Sequence, residues 1–316
     1  MSSELVTIIV ASYNHEKYVI DCLESIKHQD YESIELILSD DCSTDETFGL
    51  AKKWCDENRD RFVNVIAYSN ETNLGTTSNF NKGLGKATGK YIKPLSSDDM
   101  LYPESISDLV DYLTVNPQHD LVYSNIITVD EHARFPIDSD VYKNKLYNRR
   151  APEGKGLVDA LYKGNFISAP GVLIKKETYE KFGNYSEKYS FEDYEYWLRV
   201  AAKGGSIGYL HKVTAGYRRL SSSVDHFENS AKEKERFNRY IDEHIKLLTE
   251  YKPYTKSTMD SFWNVIIPLL IDQGNDEKIE VLLAEKNIRM SIKNKIKLMR
   301  YNPTRFGLFK QTKGSH

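Results

Sequence analysis

The first hundred residues alternate between two hydrophobic periods. Leu5–Ala11 is a nearly unbroken apolar run, and a run of that length rich in β-branched residues predicts a buried strand. In the following Glu16–His28, Val19, Cys22, Leu23 and Ile26 recur at three- and four-residue steps, which predicts a helix with one apolar stripe. The pair then repeats. Ile34–Leu38 predicts a second strand, and Ser43 with Glu46 forms an S-x-x-E capping box opening a helix through Leu50, Ala51 and Trp54. Phe62–Tyr68 reads as a third strand, Thr77–Lys86 as a weaker helix and Tyr91–Leu95 as a fourth strand ending at Ser96-Ser97-Asp98-Asp99. Strand and helix in strict alternation predict an α/β fold, a mostly parallel central sheet flanked by helices. In such sheets ligands collect beyond the carboxyl ends of the strands.

After a helix over Tyr102–Val115 the pattern mixes short strands (Leu121–Tyr123, Gly171–Ile174) with a helix from Glu192 to Lys203. From about Phe227 only helical spacing remains, over Ala231–Thr249, Ser257–Leu270 and Glu277–Ala284. The expected organisation is a first domain over 1–225, in two halves (1–100 and 101–225), and a C-terminal helical region over 226–316. Gly83-Leu84-Gly85 and Gly154-Lys155-Gly156 lack the preceding strand and the Gly-Lys-Ser/Thr ending of a phosphate loop, so both read as ordinary turns.

Composition narrows this little. The net charge of −3 offers no global field for nucleic acid. Cys22, Cys42 and Cys55 are widely spaced and form no C-x-x-C pair, which argues against a disulfide framework or a zinc knuckle and fits a reducing cytoplasm. No signal peptide opens the chain and no apolar stretch approaches membrane-spanning length.

Charge placement is more telling. Asp40-Asp41, Asp98-Asp99 and Glu192-Asp193 stand at loop ends that this topology would bring together. Crowded carboxylates repel, and a hard cation such as Mg²⁺ or Mn²⁺ would relieve them. Helix capping is the plainer reading of Asp41. For Asp98-Asp99 it is disfavoured, because Pro103 marks a helix start four residues later.

Thr7-Ile8-Ile9-Val10-Ala11-Ser12-Tyr13-Asn14, Leu38-Ser39-Asp40-Asp41-Cys42-Ser43-Thr44-Asp45, Asn73-Leu74-Gly75, Ser97-Asp98-Asp99 and Phe191-Glu192-Asp193-Tyr194-Glu195-Tyr196-Trp197-Leu198-Arg199 together resemble family 2 glycosyltransferases of the bacterial surface-glycan type, in order and approximate spacing. The resemblance implies a GT-A fold (Rossmann-like), a nucleotide-diphosphate sugar donor with UDP as the usual nucleotide, a divalent metal (Mn²⁺ or Mg²⁺) and inverting transfer to a glycan or lipid-linked acceptor. Carried over by position, it implies that Ala11, Ser12 and Tyr13 hold base and ribose and that Asp40 accepts a hydrogen bond from the base edge. Asn73 and Asn81 would line the nucleotide pocket, Asp98 would meet ribose or metal, and Asp99 would ligate the ion. Asp193 would be the general base and Glu192 its support, and Arg218 would reach the diphosphate or serve a structural ion pair. The chain departs from the family at Phe80, where a basic residue is common, at Ser96, where many members carry Asp, and at Leu220, where a histidine can approach the metal.

Two rivals stay open. A sugar nucleotidylyltransferase would need a Gly-rich, basic triphosphate loop after the first strand, which is missing; a non-catalytic nucleotide-sugar-binding protein would retain the fold without turnover. The segment 286–313 carries nine Lys or Arg and no Asp or Glu, with Ile288, Ile292, Ile296 and Met299 at helical spacing. It fits either a packed last helix or an interfacial helix on an anionic cytoplasmic leaflet, which would make the protein peripheral to the membrane.

Overall fold

A computed structural model of the chain describes residues 4–137, 146–147, 155–162, 164–189 and 191–220, with scattered positions between 235 and 279. Val6–Ser12 (β1) and Ile34–Asp40 (β2) are buried at every position, as parallel strands covered on both faces should be. Asn64–Ser69 (β3) is the outer neighbour of β2 and Tyr91–Ser96 (β4) pairs with the other side of β1, all in parallel. The helices between them are Val19–Lys27 (α1), Thr47–Glu57 (α2) and Thr76–Leu84 (α3). In α1 the buried side chains include Val19, Cys22, Leu23 and Ile26, the stripe read from the spacing. The order β3-β2-β1-β4 makes the chain wind outward from β1 and then return to its other side. A topological switch point therefore lies between β1 and β4, and a crevice opens there beyond the strand ends.

The second half comprises Met100–Leu101 (β5), Ser105–Val115 (α4), Leu121–Val129 (β6), Leu146–Tyr147 (β7), Lys155–Tyr162 (α5), Val172–Lys175 (β8), Lys176–Phe182 (α6), Glu192–Ala202 (α7) and Ile207–Arg218 (β9). The full sheet runs β3-β2-β1-β4-β8-β6-β9-β5, with β7 on β6. Here β8 is antiparallel to both β4 and β6, β9 is parallel to β6 and antiparallel to β5. The parallel half is thus the nucleotide-type half, and the rest of the sheet is mixed. The chain divides into two compact units, Met1–Leu161 with Asn165–Ser223, and Tyr162–Gly164 with Val224–His316. In the second, Ile241, Leu247, Leu270, Ile271 and Ile279 are buried. No helix among the described residues is long and apolar enough to cross a membrane, and 286–313 lies outside the described residues.

Two helix starts differ from expectation for one reason. The Glu16 N–H donates to Asp45 Oδ2 and Glu16 Oε2 accepts from the Glu46 N–H, so the chain at 16 and at 46 is tied across two loops. Accordingly α1 begins at Val19 and α2 at Thr47, and the expected Ser43–Glu46 capping box does not form. Asp45 Oδ1 instead accepts from the Thr47 N–H at 3.0 Å.

At the opposite end of the strands, buried Glu35 accepts from Thr7 Oγ1 (2.5 Å), Thr88 N (2.8 Å), Thr88 Oγ1 (2.9 Å) and Asn64 Nδ2 (3.1 Å). Burial pushes this carboxyl up, but the donors together outweigh it and hold it below 4.5. Its contribution to stability is therefore fully present above 4.5 and is lost as pH falls through the lowered folded value. Glu35→Gln, which puts an amide donor among donors, is expected to cost about 1–3 kcal/mol in denaturant melts at pH 7. The variant should also lose part of the wild-type acid dependence; an unchanged melt would remove this clasp from the account.

Candidate active site

The tips of the parallel strands are laced together. Asp40, the last residue of β2, is fully buried, and its carboxylate accepts from Ser12 Oγ (2.9 Å), Ser43 Oγ (2.6 Å), Ser43 N (2.9 Å) and Ser69 Oγ (2.8 Å). A carboxylate offers about four acceptor positions, and all are taken. Asp41 accepts from Asn70 Nδ2, Leu74 N and Gly75 N at 2.8–2.9 Å. It holds the turn that leads into α3, where Gly75 takes φ +84°, a conformation that costs an L side chain energy. The loop after β1 is clasped in turn to the loop after β2. Asn14, with φ +53°, accepts from Thr44 N at 2.9 Å, and His15 N donates to Thr47 Oγ1 at 2.7 Å. Tyr13 between them is 42% exposed, so it is no core tyrosine.

Across the switch point, β4 ends in the acid pair. Ser97 N donates to Ala11 O at 2.9 Å, and His15 Nδ1 lies 2.8 Å from Ser97 Oγ and 3.8 Å from Asp98 Oδ1. Asp98 is the more open carboxylate, with Ser96 Oγ at 2.5 Å from Oδ1. Asp99 is 2% exposed and its Oδ1 accepts from the Arg218 N–H at 2.9 Å. Burial, then the charge of Asp98, pushes the Asp99 carboxyl well above the usual range against the opposing Arg218 N–H and the cations Lys93 and Arg218.

Beyond the sheet centre, α7 opens with Glu192 and Asp193. Trp197 Nε1 donates to Ile167 O (3.2 Å), Tyr194 Oη to Leu161 O (2.6 Å) and Arg199 to Phe182 O (2.6 Å) and Asn184 O (2.7 Å). These bonds and a face of buried side chains fix the helix, and with it the position of Asp193. Asp193 Oδ2 accepts from Asn165 Nδ2 at 3.1 Å, and Oδ1 accepts from Tyr194 N. Burial and the Asp193 charge push Glu192 up to about 8, so it holds its proton at neutral pH.

The model of glycosyl transferase family 2 matches residues 7–183, which takes in the whole parallel half and the acid pair at its switch point. The chain belongs to this family. Relatives of this glycosyltransferase include an uncharacterized glycosyltransferase of Haemophilus influenzae, 28% identical over 73% of this chain and 71% of that protein. Glycosyltransferase GlyG of Streptococcus pneumoniae is 29% identical over 70% of this chain and 73% of its own length. Among solved structures, S. aureus TarS 1–349 has a TM-score of 0.61 at 18% identity, covering 94% of this chain and 78% of TarS 1–349. Mannosyltransferase PcManGT of Pyrobaculum calidifontis, solved with GDP-Man and Mn²⁺, has a TM-score of 0.62 at 15% identity, covering 98% and 82%. These neighbours are GT-A glycosyltransferases, and the fold of this chain is theirs.

Within that fold the expected residues of the glycosyltransferase separate into groups. Ala11, Ser12, Tyr13 and Asp98 flank the β1–β4 crevice, and Asn73 sits on the exposed turn held by Asp41, its Oδ1 accepting from Gly75 N at 3.1 Å. Three of the expected residues already have other partners. Asp40 is a saturated structural hub, so a base donor could bind it only by displacing one of four present partners. Asn81 faces elsewhere: Nδ2 donates to Tyr185 O and Oδ1 accepts from Tyr185 N, joining α3 to the segment after α6. Arg218 is fully buried and donates to the carbonyls of Asp98, Asp130 and Ala133, its guanidinium 4.8 Å from the Tyr18 ring. Capping of its own helix is also corrected for Asp41, which serves the lead-in to α3.

Among the described residues no three His, Cys, Asp or Glu side chains form a group that could hold a metal ion. The pair Asp98-Asp99 still fits a hard cation in donor type, Asp98 being the more open and Asp99 having Oδ1 committed to a backbone N–H. An open cleft of about 630 Å³ lies beside β3, lined in part by Ser69 and Asn70, the partners of Asp40 and Asp41; there Lys82 Nζ already donates to Asn70 Oδ1 (3.1 Å) and Lys86 lies over Tyr68. His15, Asn165 and Lys93 carry no role in the sequence motifs, and only Lys93 leaves a signal there, as a charge inside an apolar strand.

Proposed function

We propose that this glycosyltransferase moves a sugar from a nucleotide-diphosphate donor, by default a UDP-sugar, to an acceptor hydroxyl with inversion, Asp193 acting as general base. The observation that carries this is how Asp193 is held. It opens a helix locked by buried side chains, receives one amide donor from Asn165, and stands beside a glutamate that keeps its own proton. An oriented carboxylate of this kind can take the acceptor proton as the hydroxyl attacks the sugar carbon from the face opposite the phosphate. Attack from that side inverts the centre in one step. The exposed Tyr13 ring offers a platform for the base, with Ser12 and Asp98 framing the crevice. Where a divalent ion binds, Asp98 and Asp99 would hold it, and it would neutralise charge gathering on the departing diphosphate. That TarS was solved with UDP and with UDP-GlcNAc, and PcManGT with GDP-Man and Mn²⁺, supports this donor class. A glycan or lipid-linked oligosaccharide is the acceptor class we assign.

Thermal shift with UDP-, GDP- and dTDP-sugars, each with Mn²⁺ or Mg²⁺, tests the donor. A true donor at about 100 times its dissociation constant should add about 2.7 kcal/mol of stability. NMR of the product should then show the opposite anomeric configuration with release of a nucleoside diphosphate. Retention, or pyrophosphate release, would refute the reading.

A further inference from the structure

We infer that Lys93 is a positioning residue for transfer: it pins the 165–172 turn, and through Asn165 of that turn the carboxylate of Asp193, to strand β4. The inference rests on the general-base reading of Asp193 and deepens it.

Lys93 occupies the middle of β4 and is fully buried. Its Nζ donates to Pro170 O at 2.5 Å, in the middle of the short Ala169–Gly171 turn, and to Val172 O at 3.0 Å, the first residue of β8. That turn is gripped from its other side by Ser124 Oγ, which donates to Gly171 O at 3.0 Å. Five residues upstream of Pro170, Asn165 is bound into the same segment by its own Oδ1, which accepts from Ile167 N at 3.1 Å. Its Nδ2 then reaches Asp193 Oδ2 at 3.1 Å, while Ile167 O takes the indole N–H of Trp197 from the helix that carries Asp193. One strand thus bears the Asp98-Asp99 pair at its tip and, three residues before its end, the group that fastens the support of the base.

A hydrophobic residue would fill a central strand position at lower cost. Burial drives the Lys93 ammonium down to about 7, against the pull of Asp99. A neutral amine keeps two N–H donors, so both bonds survive loss of the charge. What the lysine contributes is therefore its reach and its donors, and these tie one turn, 77 to 79 residues away in sequence, to the strand. Reactions that need a base aligned on an attacking hydroxyl are sensitive to such ties, because a misplacement of about 1 Å can cost about 10² in rate.

Lys93→Met removes both donors at similar volume. It is expected to lower kcat by roughly 10–100-fold with donor KM nearly unchanged and a single cooperative melt. The decisive measurement adds the same change to Asp193→Asn. With no base left to align, Lys93→Met should then have no further effect on kcat. A loss of equal size in both backgrounds would mark Lys93 as a general structural residue and overturn the proposal, as would full activity of Lys93→Met alone. Should Lys93→Met fail to fold, Asn165→Ala reads the same linkage from its partly exposed end, and an additive loss with Asp193→Asn refutes it. Full turnover by Asp193→Asn itself would instead retire the base assignment, a result distinct from either.

Discussion

Asp193→Asn should lower kcat by about 10² to 10⁴ and leave nucleotide-sugar affinity, read by thermal shift, at its wild-type value. The substitution preserves shape and leaves one acceptor oxygen, so one of the two bonds from Asn165 Nδ2 and Tyr194 N is given up while α7 stays anchored at Ile167, Leu161 and Phe182. The capacity to take a proton is lost. Kinetically, a group that acts in the transition state shows as equal falls in kcat and kcat/KM. The neighbouring Glu192 adds a pH signature. Its carboxyl, raised to about 8 by burial and by Asp193, ionises as pH passes that value and places a second negative charge beside the base. An inflection in kcat near pH 8 is expected, and Glu192→Gln, isosteric with the protonated acid, should erase it. If Asp193→Asn turns over at the wild-type rate, the acids in the first turn of α7 serve only the helix end, where negative charge is favourable in any case.

The parallel half of the fold was legible because its strands are buried on both faces, so Val6–Ser12 and Ile34–Asp40 show as apolar runs that need no partner to be recognised. The second half hid its largest strand. In Ile207–Arg218, His211 and Lys212 are exposed and the alternation fails mid-strand, where the pairing with β6 also shifts register. The candidate site followed a similar division. An acid pair after an apolar strand was visible at both Asp40-Asp41 and Asp98-Asp99, yet their surroundings differ. The first pair is consumed by Ser43 of its own loop, by Ser12 at the end of β1, by Ser69 at the end of β3, and by Asn70, Leu74 and Gly75 of the β3–α3 connection. Whether a carboxylate stays open depends on those long-range donors, and local sequence does not count them. The same holds for Arg218, whose acceptors are backbone carbonyls that no side-chain motif announces.

Arg218 gives the second large effect, and it separates a frame from a clamp. At the end of β9 the backbone N–H of Arg218 binds Asp99 Oδ1, while its Nε donates to Asp98 O at 2.8 Å and Nη1 to Ala133 O at 2.6 Å and Asp130 O at 3.1 Å. The side chain therefore holds the acid-pair loop and the 130–133 turn against one strand end. Arg218→Met keeps the backbone bond and much of the apolar stem but takes the donor from Asp98 O, a loss worth about 1–3 kcal/mol when a carbonyl is orphaned, while Ala133 O keeps Arg134 Nη1 and Asp130 O keeps the Ala133 N–H. A loss of about 1–3 kcal/mol follows, roughly 2–12 °C in Tm for a domain of this size. Because the loosened loop carries Asp98 and Asp99, divalent-ion affinity measured by calorimetry should weaken as well. A diphosphate clamp would behave otherwise: donor KM would rise sharply while the melting temperature held. Unchanged Tm with a raised KM would return Arg218 to the ligand, and would mean that the side chain leaves these carbonyls when donor binds.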